Sequence, residues 1–329
     1  MSNALPDRGG AAAAGKAPAS LAPAAPTGAR PIRDGASPAR RGRGTAYWQA
    51  APFALLFLVF FIVPLVLTVA VSFWEYTEYT ITPAFTLDNY REVFDGCLAR
   101  LPSLCVTFAT YLSTLRFCLL VWAITLLLGF GIAYFLAFHI RSTAVQMALF
   151  LVCTVPFWTS NVIRMIAWVP LLGRNGLVNQ TLQSLGVTDG PLDWLLYSEF
   201  SVVLAFVHLY TLFMMVPIFN SMARIDRSLI EAARDAGASG WQTLWNVVIP
   251  LCKPGIVIGS IFVLCIVMGD FVTVGIMGGQ QIASVGKVIQ VQMSYLQFPI
   301  AAANAVVLLA VVLLMIWALT RLVDIRREL

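Results

Sequence analysis

The chain has 329 residues, 59% hydrophobic and 11% charged, where soluble domains have roughly 45–50% and about 25%. This balance excludes a soluble globular domain and indicates an integral membrane protein. Its net charge of +5 calls for no nucleic-acid partner, because the Lys and Arg residues are distributed as a membrane-topology signal.

In chain order, residues 1–45 are Ala, Pro, Gly and Arg without periodic apolar positions. Such a segment is too poor in core-forming side chains to offset the entropy of folding, and it reads as a disordered cytoplasmic tail. Gly10, Gly15 and Lys16 match the G-x-x-x-x-G-K part of a phosphate-binding loop, but Ala17 replaces the magnesium-holding Ser or Thr, and no strand-to-helix context surrounds it. The first apolar run begins near residue 52, is too long for the core of a secretory signal and lacks an evident cleavage site.

Residues 46–329 contain six runs long enough to span a bilayer, at about 52–73, 115–138, 146–170, 201–222, 254–277 and 300–320. Each must be helical, because hydrocarbon offers no partner to a free backbone N–H or C=O and none shows the alternation of a barrel strand. The expected fold is an all-α membrane domain of six transmembrane helices. With both termini in the cytoplasm, fifteen Lys and Arg fall inside and four outside (Arg91, Arg100, Arg174 and Lys287), with Arg116 and Arg164 at or in the membrane. That bias sets the orientation and places the segment between the fourth and fifth runs in the cytoplasm.

Of the six cysteines, Cys97 and Cys105 share the first outer loop. An oxidising compartment there allows a disulfide between them, and the alternative is two free thiols. The other four read as small fillers between helices. There is no C-x-x-C pair, and His139 and His208 are far apart, so metal-site spacing is missing and no cofactor is expected.

The cytoplasmic segment, about 223–252, contains LIEAARDAGASGWQTLWNVVIP at 229–250. Ser228 and Glu231 have capping-box spacing, and Leu229, Ala232, Ala233 and Ala236 then recur on one small-residue face. Gly237 follows at a helix C-terminus, and Ser239 caps a second helix bearing Trp241, Leu244, Trp245 and Val248, which Pro250 is expected to stop. By pattern alone this helix, glycine turn and helix is an amphipathic connector on the membrane surface or a docking element.

The stretch resembles the EAA loop of membrane subunits of bacterial ABC importers, E-A-A-x-x-x-G-x9-I-x-L-P. Glu231, Ala232, Ala233, Gly237 and Pro250 match, with Val247 and Ile249 as aliphatic replacements. Residues 155–180, 269–279 and 285–305 are similar to stretches of the spermidine/putrescine permease branch. The resemblance implies the type I importer permease fold, a location in the bacterial inner membrane, a cytoplasmic ABC ATPase dimer, a second permease subunit and a periplasmic or extracellular substrate-binding protein. It further implies that the loop docks on an ATPase subunit, that this chain has no ATP chemistry, and that transport is by alternating access. Polyamines lead as substrate; similar permeases serve opines, aminophosphonates, thiamine and ferric iron.

Ionisable groups within spans mark functional sites or structural pairs. Arg164 is about 18 residues into the third run and Asp270 about 16 into the fifth, which places them at similar depth on the helix rise and makes them either an ion pair or members of the path. In the second case Asp270 binds a cationic amine, and Phe157, Trp158 and Asn161, with Trp168, lie near Arg164. Two other classes differ visibly: an ion-gradient-driven secondary transporter often shows repeated halves with interrupted helices, and a membrane-embedded enzyme needs convergent catalytic groups.

Overall fold

The computed structural model describes residues 43–77, 80–95, 97 and 105–321. The tail reading up to residue 42, the Gly10, Gly15 and Lys16 motif, Arg100, Arg326 and Arg327 therefore lie outside the described residues. By its contacts the chain divides into Met1–Phe57 and Leu58–Leu329. The first unit holds α1 (Arg43–Phe57); the elements below belong to the second.

A π-helical segment, Leu58–Ile62, leads into α2 (Val63–Val71), and a two-stranded hairpin of β1 (Glu75–Tyr76) and β2 (Ile81–Thr82) follows. Then come α3 (Asp88–Val93) and α4 (Val106–Tyr134), which runs into a second π segment, Phe135–His139. Next, α5 (Thr143–Thr154) passes through a 3-10 turn, Val155–Trp158, to α6 (Asn161–Leu172) and α7 (Leu177–Ser184). After α8 (Glu199–Met222) lie α9 (Arg227–Asp235), α10 (Gly240–Thr243), a third π segment (Leu244–Val248) and α11 (Ile249–Gly269). The chain continues through α12 (Val272–Met277), α13 (Val285–Ser294) and α14 (Phe298–Arg321).

Among the described residues five apolar helical stretches are long enough to span a bilayer: Gln49–Val71, Val106–His139, Asp193–Met222, Gly240–Gly269 and Phe298–Arg321. The expected third span departs from its straight reading. It is a pair, Thr143–Trp158 and Asn161–Ser184, bent by 84°. The run is apolar throughout, but Pro156 lacks an N–H and Thr159 is extended, so the helix cannot carry straight through. Counting the pair as one span gives six.

At the centre α8 packs against α4 and α11. Phe117, Val121, Phe206, Met214, Ile218 and Val263 are almost wholly buried there. Since lipid is as apolar as these side chains, packing and small residues must hold the helices together. A Cβ on Gly255 would lie 2.5 Å from the Pro217 carbonyl oxygen and 2.5 Å from Ser221 Oγ, and one on Gly129 would lie 3.1 Å from the Met215 backbone nitrogen. A polar contact adds direction, with Trp122 Nε1 donating to Ser260 Oγ at 2.8 Å between α4 and α11.

Gly255→Ala should therefore push α11 away from α8 at a cost of about 1–3 kcal/mol, as overpacking does. Gly240→Ala, whose Cβ meets open space, should change stability by no more than about 0.5 kcal/mol. Thermal unfolding of the purified protein in detergent compares the two.

Candidate functional site

Two features emerge, an exposed helix–turn–helix between α8 and α11 and a polar cluster around the helix breaks at α6 and α12.

The helix–turn–helix begins one turn after α8. Ile225 is partly buried against the core, and Asp226 then takes the N-cap, its carboxylate accepting from the Ser228 N–H at 3.0 Å. The expected capping box of Ser228 and Glu231 is thus corrected. Ser228 lies inside the first turn, which leaves Glu231 too far along to reach the cap. Bonding from the Ser228 backbone and side chain holds the Asp226 carboxyl below its ordinary value. The charged cap is therefore fully present above the usual carboxylate range and is lost as pH falls through the lowered value.

Glu231 and Ala232 are exposed and Ala233 is half-buried, so the small-residue face has little of its own chain over it. At the other end Gly237 has φ +83°, its N–H donates to Arg234 O at 2.8 Å, and Ala238 N–H donates to Ala233 O at 3.0 Å. These two bonds make a Schellman motif. Two residues on, Ser239 and Gln242 form a true capping box, with Ser239 N–H donating to Gln242 Oε1 at 2.8 Å and Gln242 N–H to Ser239 Oγ at 3.3 Å.

Pro250 does not stop the second helix, contrary to expectation. The helix continues from Gly240 to Gly269. The Ile249 N–H bonds to Leu244 O, a π-type i→i−5 bond just before the proline, and this wider turn accommodates the missing donor. Trp241 and Trp245 stand exposed on this helix with rings 5.7 Å apart.

The membrane cluster also differs from the straight-helix reading. Asp270 is not midway along the fifth span. It sits at the break where α11 ends, with ψ 109°, and its carboxylate accepts from Tyr210 Oη at 2.5 Å, Thr273 N–H at 2.9 Å and Thr273 Oγ1 at 2.6 Å. Arg164 lies beyond the 84° bend, so equal depth cannot be counted along straight helices. Among the described residues no ion pair joins it to Asp270. Instead Arg164 donates to Asn161 Oδ1, and its Nε is buried without a hydrogen-bond partner.

Arg164, Phe157, Cys153, His208 and Thr211 line a fissure of about 190 Å³ between the bent pair and α8. Phe157 meets Phe213 edge-on at 5.5 Å, and Trp158 is exposed. Sequence reasoning missed Tyr210 and Thr273 as holders of Asp270, and His208, which accepts from Trp168 Nε1 at 3.2 Å. A signal existed, since a tyrosine hydroxyl within a span must find a partner. Outside this cluster Cys97 and Cys105 are joined by a disulfide, and Arg116 pairs with Glu199 at 3.3 Å. Among the described residues no group of three His, Cys, Asp or Glu is arranged to hold a metal.

Apolar spans joined by an exposed helix–turn–helix, with a polar cluster at the helix breaks, define a multi-span membrane protein. Residues 42–327 match the family described as binding-protein-dependent transport system inner membrane component, and the chain belongs to that family. It is 32% identical over 277 residues to the Escherichia coli K12 spermidine/putrescine transport system permease protein PotB, covering 83% of this chain and 96% of that protein. The Haemophilus influenzae protein of the same name is 32% identical over 248 residues, covering 74% and 82%. Among solved structures, the fold matches a chain of a bacterial alginate ABC transporter in complex with an alginate pentasaccharide-bound periplasmic protein, with TM-score 0.65, 16% identity and coverage of 87% and 95%. The chain is thus a multi-pass inner membrane permease of an ABC importer, a class that works with an ATPase and a substrate-binding protein.

Gly237→Val places a β-branched side chain at positive φ and should cost roughly 1–2 kcal/mol locally. Gly237→Asn should cost less, because Asn tolerates this region. Hydrogen exchange across residues 227–243 should speed up for the first variant and stay near wild type for the second.

Proposed function

We propose that this chain is one of two permease subunits of an ATP-driven importer carrying polyamines such as spermidine and putrescine into the cytoplasm by alternating access. The observation that carries this reading is the 32% identity to PotB across 96% of that protein. Both termini and the α9–α10 lever lie on the cytoplasmic side, a placement supported by the excess of Lys and Arg there. A groove on each of two ATPase subunits receives one such lever, one from each permease.

Glu231, Ala232, Ala233, Gly237 and Pro250 form the coupling element. Small side chains on α9 let a partner backbone approach closely, and the capped turn keeps the angle between α9 and α10. As the ATPase pair closes, the lever is carried with it and the spans rock to open the outer side. Asp270, Arg164, Phe157, Trp158 and Asn161 border the path, with the Asp270 carboxylate and nearby aromatic faces attracting ammonium groups. One observation favours a different small solute: three hydrogen bonds already occupy the Asp270 carboxylate.

Spermidine uptake by cells whose own polyamine importers are deleted tests the substrate. Asp270→Asn should raise the KM for spermidine by about tenfold, equivalent to about 1.4 kcal/mol, at unchanged membrane abundance. An unaltered KM removes Asp270 from the cation site. In the purified complex, Gly237→Val should leave the ATPase bound but lower substrate-stimulated ATP hydrolysis; normal stimulation counts against the lever.

A further inference from the structure

The fissure of about 190 Å³ between the bent pair and α8 gathers hydrogen-bond donors and one positive charge. An arginine side chain has five N–H donors and no acceptor. Among the described residues Arg164 spends one of them, on the neutral amide of Asn161. Its Nε is enclosed without a partner, so the terminal nitrogens are the ones that can meet a ligand. On the facing wall His208 Nδ1 accepts from Trp168 Nε1 at 3.2 Å, and the neutral ring therefore carries its proton on Nε2 as a second donor. The two side chains are near enough for the Arg164 charge to act on the imidazole. No carboxylate offsets that charge by an ion pair among the described residues: those pairs use Arg91, Arg116 and Arg174, and Asp270 is engaged by Tyr210 and Thr273.

The rest of the lining restricts what can answer these donors. Thr211 Oγ1 donates to Val207 O at 2.6 Å and has no proton to offer a ligand. Phe157, Leu209, Leu212 and Met215 are apolar, and Cys153 brings a weakly polar thiol. An ammonium is repelled by the guanidinium. A phosphate, with nearly two charges and three strong acceptor oxygens, would leave most of its oxygens against hydrocarbon. A compact monoanion needs two donor groups and tolerates the apolar walls. His208 is itself exposed, which leaves the fissure open to an entering ion.

We infer that this fissure is a chloride site, the ion lying between the Arg164 guanidinium and the His208 Nε2–H. A bound chloride neutralises the arginine inside the membrane domain, where an unpaired charge is costly. On the polyamine reading, on which this consequence alone rests, it also screens Arg164 from an ammonium passing the bend.

The thiol of Cys153 lines the same fissure and reports on it. In native membrane vesicles containing the assembled importer, N-ethylmaleimide labelling of Cys153 is followed by mass spectrometry while sodium chloride replaces sodium gluconate at constant ionic strength. Labelling should slow by about fivefold at a chloride concentration four times the dissociation constant, because the unliganded fraction falls as 1/(1 + [L]/Kd). Cys265, on α11 and outside the fissure, should label equally in both salts. Arg164→Gln should abolish the chloride effect, and Arg164→Lys should retain a weaker one. Equal Cys153 labelling in the two salts, or a chloride effect untouched by Arg164→Gln, overturns the inference. Where Arg164→Gln loosens the packing, seen as faster Cys265 labelling, His208→Phe decides instead: a chloride effect that survives at full size overturns the site. Acetate protecting Cys153 better than chloride assigns the fissure to a solute carboxylate and overturns the halide. Spermidine uptake is read in the same vesicles. Protection without uptake leaves the site standing while the polyamine reading fails, uptake without protection removes the site alone, and equal uptake in chloride and gluconate removes the screening.

Discussion

Hydrocarbon offers no hydrogen-bond partner, so every interruption of a membrane helix must be repaired from within the protein. Most of what distinguishes this chain from six plain helices is such repair. Two of the three π segments, Leu58–Ile62 and Leu244–Val248, stand immediately before a residue and a proline, Val63–Pro64 and Ile249–Pro250. In each the wider turn precedes the missing N–H, and the helix resumes. The remaining one, Phe135–His139, ends without a proline, and there Gln146 Nε2 donates to Leu136 O at 2.8 Å. Asn89 does the same work beyond α2, donating to the carbonyls of Ser72 and Trp74 at 2.9 and 2.8 Å.

Asp270 belongs to this set. The break after Gly269 frees the first N–H groups of α12, and the carboxylate takes one of them from Thr273 while Tyr210 Oη fixes its other oxygen. A charge at this place is a joint between α8, α11 and α12 before it is anything else. Cation binding and joint-holding are compatible only if an incoming ammonium shares oxygens already engaged. Any solute that draws on Asp270 therefore also pulls on the joint, which couples occupancy to the geometry of the break.

Apolar length was readable from the sequence because burial in lipid demands little else: the spans, the lever and its glycine turn all stand near their expected positions. Direction was not readable. The run at 146–170 is apolar on both sides of its bend, and hydropathy registers composition rather than the axis, so only Pro156 and the Thr159–Ser160 pair hinted at the turn. Pro250 misled for the converse reason, since a local rule treats proline as a stop while a π turn can absorb it. Ser228 stands at capping-box spacing from Glu231, which local spacing alone cannot tell from a true cap; the partly buried Ile225, which sets where the chain enters α9, is visible only once the core is built.

Continuity through Pro250 changes the mechanics. From the Ser239 cap the helix runs 30 residues, Gly240–Gly269, or about 45 Å at 1.5 Å per residue, and it ends at the Asp270 joint. A helix stopped at Pro250 would have placed a hinge between the α9–α10 turn and the membrane domain. The continuous one has no such hinge, and its contact with α8 at Gly255 leaves little room for sliding. Under the proposed coupling, a push delivered at α9 is therefore carried along α11, and the place where it can be taken up is the break whose carboxylate, tyrosine and threonine hold three helices together.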